Sequence, residues 1–303
     1  MSNNKFTKTI LVSGASGLLG SELIVQILNK TAYKVIALTS KKNKVQLLSC
    51  SERLIVFSND EWDQKINQKV DVFINCAFPR SSDPEKLAIG ADYTEYIVQD
   101  AISRNISNII NISSQSVYSQ KSIKDIDESD SPSPESLYGM AKYASEKIVS
   151  SICENYNQKI NFSNIRLASL TSLDFDIRMI NRFVKKVINN EIIEIYGGDQ
   201  TISYLDVRDA ADALVQMLNT TDIDWNVVYN LGSNEKYTLN NLVQEIERVA
   251  KDYNFQKVKV NKHTKDEAFS NSINSTLFYD TFNWKPRHQM LNMIEELFVY
   301  YVR

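Results

Sequence analysis

The chain has 303 residues, of which 43% are apolar, 10% aromatic and 23% charged. That is the profile of a soluble globular protein with one large domain or two ordinary ones, and it excludes a disordered, fibrous or collagen-like chain. Lys and Arg number 34 against 37 Asp and Glu, a net charge of -3, so the chain as a whole makes no electrostatic case for nucleic acid or an anionic membrane surface.

The N-terminus imitates a signal peptide only faintly. Lys5 and Lys8 precede the apolar stretch Ile10 to Leu19, but Ser13-Gly14-Ala15-Ser16-Gly17 breaks it and no clear cleavage site follows. Thr9 to Val12 reads as a buried strand, Ser21 to Leu28 as a helix, and Lys34 to Leu38 as a second strand. Leu54 to Phe57 is a third, Val70 to Asn75 a fourth, residues 84–104 a helix, and Asn108 to Ile112 a fifth strand. A long helix follows Pro134, and Asn161 to Arg166 is a sixth strand. Short apolar strands alternating with helices imply a parallel sheet covered on both faces.

Beyond residue 170 the rhythm loosens. The pattern predicts a helix over 176–190, a strand from Ile192 to Tyr196, an alanine-rich helix after Leu205-Asp206-Val207, and a strand from Val227 to Leu231. A helix near 239–252, a strand near 257–260 and a terminal helix near 288–301 complete the chain. Asp125 to Pro134 is an acidic, proline-containing loop, either a solvated connection or a flap over a substrate. No run of about 18 apolar residues occurs, so no transmembrane helix is expected. The three cysteines (Cys50, Cys76, Cys153) form no CxxC pair, and the two histidines (His263, His288) have no metal-ligand spacing. No disulfide framework and no metal site are expected, and a reducing cytoplasm is the expected compartment.

Gly14-Ala-Ser-Gly17-Leu-Leu-Gly20 lies between the first strand and the first helix. Glycines in that context permit a tight turn and a close approach of backbone to a pyrophosphate, with the helix N–H groups facing phosphate. The expected ligand is a dinucleotide. The second strand runs into Thr39-Ser40-Lys41-Lys42, with no acid for a ribose 2′-hydroxyl. Two lysines and a serine suit a 2′-phosphate, so NADP is preferred over NAD.

Tyr138 and Lys142 stand four residues apart in the helix after Pro134 and therefore on one face. An ammonium beside a phenol favours the phenolate, and such a tyrosine can give or take a proton near neutral pH. Tyr143/Lys147 and Tyr253/Lys257 share the spacing. Leu137, Met140, Ala141, Ala144, Ile148 and Ile152 define an apolar arc, bordered by Tyr138 with Ser145 and Val149. Tyr143 and Lys147 point instead with Ser150 and Glu154. With the arc as the packed side, Tyr138 is expected at a cleft and Tyr143 in solvent. At the end of the fifth strand, Ser114 either hydrogen-bonds a substrate oxygen or serves the local turn.

Together these pieces resemble the extended short-chain dehydrogenase/reductase superfamily, and more narrowly its NAD-dependent epimerase/dehydratase branch, which acts on nucleotide-linked sugars. The resemblance rests on Gly14-x-x-Gly17-x-x-Gly20, Asp71-Val-Phe-Ile-Asn-Cys-Ala77, Ile112-Ser-Ser-Gln-Ser-Val-Tyr118, Tyr138-x-x-x-Lys142 and Arg166. Gly197-Gly-Asp-Gln200, Tyr204-Leu-Asp-Val-Arg-Asp209-Ala and Tyr229-Asn-Leu-Gly-Ser233 extend it. It implies an α/β fold: a doubly wound parallel Rossmann sheet (1–168 and 201–232) with a smaller α/β substrate domain (169–200 and 233–303).

Carried over by position, Tyr138 is the catalytic acid/base, Lys142 lowers its pKa and holds the nicotinamide ribose, and Ser114 binds the oxygen at the reacting carbon. The cofactor set implied comprises Gly14, Ser16, Gly17, Leu18, Leu19 and Gly20, then Ser40, Lys41, Lys42 and Asn59. Cys76, Ala77, Phe78, Ile112, Leu167 and Ser169 join Tyr138 and Lys142 at the other end. The substrate set is Phe78, Arg80, Ser114, Gln115, Arg178 and Tyr204. Dehydratases of this family carry Asp-Glu after the catalytic serine or threonine, whereas this chain has Gln115-Ser116. Ile202 stands where many relatives have a phosphate-binding arginine, with Arg178 a candidate substitute. The implied reaction is therefore that of a 4-ketoreductase or 4-epimerase. A reductase of a non-sugar ketone and a non-catalytic dinucleotide sensor are the alternatives. Relatives commonly form homodimers through two helices, here 84–104 and 135–155, where Tyr93, Tyr96, Ile97 and Ile148 either supply contacts or belong to the core.

Overall fold

Strands whose residues are all apolar or β-branched bury both faces, and the first half of the chain is built this way. The structure is a computed structural model that describes residues 8–65, 69–119, 121, 125–220, 223–255, 257–264 and 270–302; Lys5 lies outside them. The elements run β1 (Thr9–Ser13), α1 (Leu18–Lys30), β2 (Lys34–Leu38), α2 (Lys42–Gln46), β3 (Leu54–Phe57), α3 (Asn59–Lys65), β4 (Val72–Asn75), α4 (Pro84–Ser103), β5 (Asn108–Ser114), α5 (Leu137–Glu154) and β6 (Asn161–Leu167). Then come β7 (Ser169–Thr171), α6 (Met179–Ile188), β8 (Ile193–Tyr196), β9 (Thr201–Ile202), β10 (Tyr204–Asp206), α7 (Val207–Asn219) and β11 (Val228–Leu231). The last are β12 (Tyr237–Thr238), α8 (Leu239–Asp252), β13 (Val260–His263), β14 (Ser270–Asn271), α9 (Thr276–Phe282) and α10 (Met290–Val302).

A seven-stranded sheet has the order β11-β6-β5-β4-β1-β2-β3. β3, β2, β1, β4, β5 and β6 pair in parallel throughout. Chain order reverses between β1 and β4, so a crevice opens past the C-terminal ends of those strands, where α/β sheets bind ligands. With its flanking helices this is the expected Rossmann-like α/β fold. One core of this unit gathers Leu11, Ile36, Phe73, Ile97, Val98 and Ile109, all at most 1% exposed.

The chain divides into two compact units. The first holds residues up to Tyr118, Ser131–Leu167 and Ala211–Tyr229; the second holds Ser119–Asp130, Ala168–Ala210 and the chain from Asn230 onward. These bounds differ from the expected ones at four places, two of them small shifts that move Ala168 and residues 230–232 into the second unit. Residues 201–210 belong to the second unit, because β9 pairs with β12 and β14, and β10 with β7. Residues 119–130 join it as well. Ile126 bridges Ile273, and its carbonyl accepts from Asn274 N at 2.8 Å. The acidic loop is thus divided. Its Asp125 pairs with Lys236 and its Glu128 accepts from Asn230 N, both within the second unit. Ser133, in the first, donates its N–H to Val117 O.

The second unit is organised by its helices. α6, α8 and α10 pack on one another around Ile180, Leu242, Ile246, Ile294 and Phe298. α8 begins at a capping box in which Thr238 and Asn241 satisfy each other's backbone N–H groups. The predicted strand near 257–260 is β13, shifted to Val260–His263 and paired in parallel with β8.

Candidate functional site

The first unit's crevice has a volume of about 720 Å³. Its floor is the turn between β1 and α1. Gly14 has φ +66°, and a Cβ there would lie 2.6 Å from Cys76 C and 2.7 Å from Ala77 N. Only glycine lets these two backbones approach so closely at that dihedral. Gly17 is the N-cap of α1, with no side chain capping the first N–H groups and no acid in the first turn. A helix end left open in this way, above a cradle that a side chain would fill, fits a pyrophosphate.

The expected cofactor residues divide on inspection. Gly14, Ser16, Gly17, Ser40, Lys41 and Asn59 line the crevice, and Cys76, Ala77 and Phe78 close its other side. Leu18, Leu19 and Gly20 form the first turn of α1, with Leu19 and Gly20 buried. Lys42 departs from expectation: its ammonium binds both carboxylate oxygens of Glu61, at 2.8 and 2.7 Å, and it does not line the crevice. That leaves Ser40 and Lys41, both exposed, at the adenosine end. The sequence reading missed the α4 wall of Lys86, Ile89, Gly90 and Tyr93. Tyr93 donates its hydroxyl to Asn59 Oδ1 at 3.2 Å, a contact that spans α4 and α3.

α5 carries the Tyr138/Lys142 pair. Ser136 caps it, accepting from Gly139 N at 3.0 Å. Gly139 lets the helix press onto the turn after β5, since a Cβ there would sit 2.2 Å from Ser116 O. Tyr138 is half-buried, its ring 6.3 Å from that of Phe78 at 72°, an edge contact. Lys142 is 3% exposed and donates to Ile112 O at 2.5 Å. Its amine also lies 4.1 Å from the centroid of the Phe78 ring. Burial pulls the Lys142 pKa down to about 7, against the opposing pull of Glu146 and Cys76. Burial likewise pushes the Cys76 thiol up to about 12, opposed by Lys142.

The buried face of α5 is not the one its apolar pattern suggested. Gly139, Lys142, Ser145, Glu146, Val149 and Cys153 are buried. Leu137 and Met140 are 52% and 50% exposed, Ala144 is exposed, and Ala141, Ile148 and Ile152 are half-buried. Tyr143 is half-buried, with the Lys147 amine 5.2 Å from its ring.

Polar partners explain the inversion. Glu146, 3% exposed, accepts from Ser113 Oγ and pairs with Arg166, 4% exposed, at 2.7 Å. Arg166 also donates to Tyr118 OH at 2.7 Å. Burial works against the guanidinium charge, but the bonds to Glu146 and Tyr118 outweigh it and hold the Arg166 pKa above its usual range. Beside this cluster an amide ladder crosses four paired strands. Ser13 Oγ donates to Asn75 Oδ1 at 2.7 Å, Asn75 Nδ2 to Asn111 Oδ1 at 3.0 Å, and Asn111 Nδ2 to Asn164 Oδ1 at 2.8 Å. Asn75 Oδ1 also accepts from Ala77 N at 3.2 Å, tying the ladder to the crevice wall.

Ser114 ends β5 opposite Leu167 of β6, which is 6% exposed. Its hydroxyl accepts from Ser116 N at 3.1 Å and donates to Ser116 Oγ at 3.2 Å. Gln115 is buried in that turn and Arg80 is exposed after Pro79. The remaining expected residues belong to the second unit. Ser169 opens β7, and Arg178 caps α6 with its guanidinium 5.1 Å from the Phe175 ring. Tyr204 is 7% exposed within the second unit's core; burial raises its pKa and Arg178 and Arg182 oppose that rise. Ile202 is 6% exposed in the same core.

Known proteins are similar to this chain in sequence and fold. The chain is 27% identical over 255 residues to a putative UDP-glucose 4-epimerase of Methanocaldococcus jannaschii, covering 77% of this chain and 79% of the relative. It is 23% identical over 275 residues to dTDP-D-glucose 4,6-dehydratase of Bos taurus, covering 83% and 75%. The crystal structure of UDP-glucuronic acid 4-epimerase from Bacillus cereus in complex with NAD superposes with a TM-score of 0.83 at 21% identity, over 96% of both chains. The model of the NAD dependent epimerase/dehydratase family matches residues 10–232, a span that holds the glycine turn, the whole crevice lining and the Tyr138/Lys142 helix. On that match the chain belongs to the NAD dependent epimerase/dehydratase family, as an enzyme of the extended short-chain dehydrogenase/reductase type.

Proposed function

We propose that this enzyme is an NAD(P)-dependent oxidoreductase acting on a nucleotide-linked sugar, as a 4-ketoreductase or 4-epimerase. One observation carries the reading: Tyr138 and Lys142 stand one turn apart beside the glycine crevice, with the Lys142 amine buried and bound to the Ile112 carbonyl near the end of β5. A bound nicotinamide supplies the two-electron chemistry at its C4. Tyr138 gives its proton to the substrate oxygen on reduction and takes it back on oxidation. Lys142 balances the negative charge on the phenol oxygen, and Ser114 hydrogen-bonds the same substrate oxygen. Gln115-Ser116, in place of the Asp-Glu of dehydratases, argues for redox chemistry without loss of water.

The NADP preference now rests on Ser40 and Lys41, because Glu61 engages Lys42. A reductase of a non-sugar ketone is favoured by a single feature, the burial of Ile202 where relatives place a phosphate-binding arginine. The homodimer reading draws on exposed apolar residues of α4 and α5: Tyr96 at 41%, Leu137 at 52% and Met140 at 50%. Ile97, at 1%, is core and drops out of that surface, and Tyr93 is engaged by Asn59.

The test follows oxidation of NADH and NADPH against UDP-, dTDP- and GDP-linked 4-keto sugars, with the matching 4-hydroxy sugars assayed for epimerisation. Tyr138→Phe is expected to lose about 10³-fold in kcat while cofactor Kd stays within about threefold. Turnover that survives this change refutes the assignment. Inhibition by free nucleoside diphosphate supports the sugar-nucleotide site, and its absence favours the non-sugar ketone.

A further inference from the structure

Phe78 follows β4 and touches both members of the proposed reacting pair. The face of its ring lies 4.1 Å from the Lys142 amine, and its ring meets that of Tyr138 edge-on at 6.3 Å and 72°. Its seat is built by a second element. Gly90 lies inside α4, where glycine weakens a helix relative to alanine. A Cβ at that position would lie 2.4 Å from Pro79 Cδ and 3.3 Å from Phe78 Cε2. The helix gives up local stability at the spot where the Phe78-Pro79 corner needs room.

We infer that Phe78 is a positioning residue, whose ring fixes the spacing of Tyr138 and Lys142 and keeps water off the amine. This rests on reading those two residues as the reacting pair. The ring presents an aromatic face within cation–π range of Lys142. Other groups facing the amine are Glu146 on α5, the Cys76 thiol after β4, and the Ile112 carbonyl of β5. Glu146 is itself engaged by Ser113 of β5 and Arg166 of β6. Two influences of the ring oppose each other. Its face favours the ammonium, while its bulk excludes water and disfavours it. Burial pulls the pKa of the amine down to about 7, and the ring's share of that burial is taken as the larger influence.

Three variants separate these influences. The readout is the titration of Lys142 by NMR of protein labelled with ¹³C-lysine, the resonance being assigned by its loss in Lys142→Met. Phe78→Ala admits water and raises the midpoint by about one pH unit or more. Phe78→Tyr keeps the ring and holds the midpoint within about 0.3 units. Phe78→Leu keeps bulk but loses the aromatic face and lowers the midpoint by about 0.5 units; this variant carries the test if the alanine form does not fold. In turnover, Phe78→Ala lowers kcat by about tenfold or more. An unmoved midpoint in the alanine or leucine variant overturns the proposal, because a merely structural ring leaves the titration in place. The titration needs no substrate. A midpoint that moves in a protein that neither reduces a keto sugar nor epimerises a 4-hydroxy sugar therefore refutes the proposed function and leaves the role of Phe78 standing.

Discussion

Helices α5 and α8 follow opposite rules. α8 buries Leu239, Leu242, Val243, Ile246, Val249 and Ala250 and turns its polar residues outward, as an amphipathic helix on an apolar core does. α5 buries Lys142, Ser145 and Glu146 and exposes Leu137 and Met140. The difference lies in what each helix packs against. α8 meets other apolar helix faces, whereas α5 packs beside α4 and sets Lys142 and Glu146 against a stretch of sheet already crossed by amides and charges. A helix face aimed at chemistry must hold polar groups, and each must then find a partner, because an unpaired buried charge is costly. Ile112 for Lys142, Asn111 for Ser145, and Ser113 and Arg166 for Glu146 are those partners.

The sharpest way to break this contrast is to truncate one residue on each inner face. Ile246→Ala in α8 removes apolar volume at a position 0% exposed and is expected to cost about 3 kcal/mol. Glu146→Ala in α5 removes no apolar packing, yet it leaves Arg166 buried without its carboxylate, and about 3–5 kcal/mol is expected. Urea denaturation measures both. If Glu146→Ala costs under about 1 kcal/mol, the buried pair is not holding α5 to the sheet and the contrast fails.

A smaller effect has the opposite sign. Burial sets the Lys142 pKa at about 7, below its ordinary 10.5. Between those values the unfolded chain keeps a proton that the native chain has released, so this residue makes stability rise with pH across the window. Below it, the cost of the buried ammonium is present in full. Lys142→Met removes that cost but also the bond to Ile112 O, for a net gain of about 2 kcal/mol at pH 6 that fades toward pH 10. Turnover is lost while stability is gained, the exchange expected where a site is strained for function. Melting curves at pH 6, 8 and 10 check it; a gain that does not shrink with pH rules out the titration as its source.

The sequence made the Rossmann half legible because local signals carry it. Runs such as Ile10-Leu11-Val12 and Asn108-Ile-Ile-Asn-Ile112 can be little else than buried strands, and the glycine turn sits where such a sheet binds its ligand. The Tyr138/Lys142 pair was legible from spacing. The shell around it was not, because its partners are remote in sequence. Glu146 meets Ser113 and Arg166 across 33 and 20 residues, and Asn75 meets Asn111 across 36. Lys42 was misread for the same reason, its partner Glu61 lying 19 residues on. The two-residue strands β9, β12 and β14 are too short to show any periodicity. For α5 the periodicity was present but its sense was inverted, since an apolar arc announces that something apolar will cover it without saying what.

The smallest expected effect addresses that covering. In α8, Leu242→Lys would bury an ammonium with no carboxylate beside it and unfold the second unit's core. In α5, Met140→Lys changes a side chain that is 50% exposed, and about 0.5 kcal/mol or less is expected in an isolated subunit. If a second copy of the chain covers α4 and α5, the same change places like charges across a twofold interface and the dimer dissociates. Sedimentation of wild type and variant distinguishes the cases, with the monomer keeping its cofactor affinity because the crevice lies within one subunit. A wild type that is already monomeric at micromolar concentration would leave the apolar arc of α5 facing water, and the inverted helix would then owe its pattern to something other than self-association.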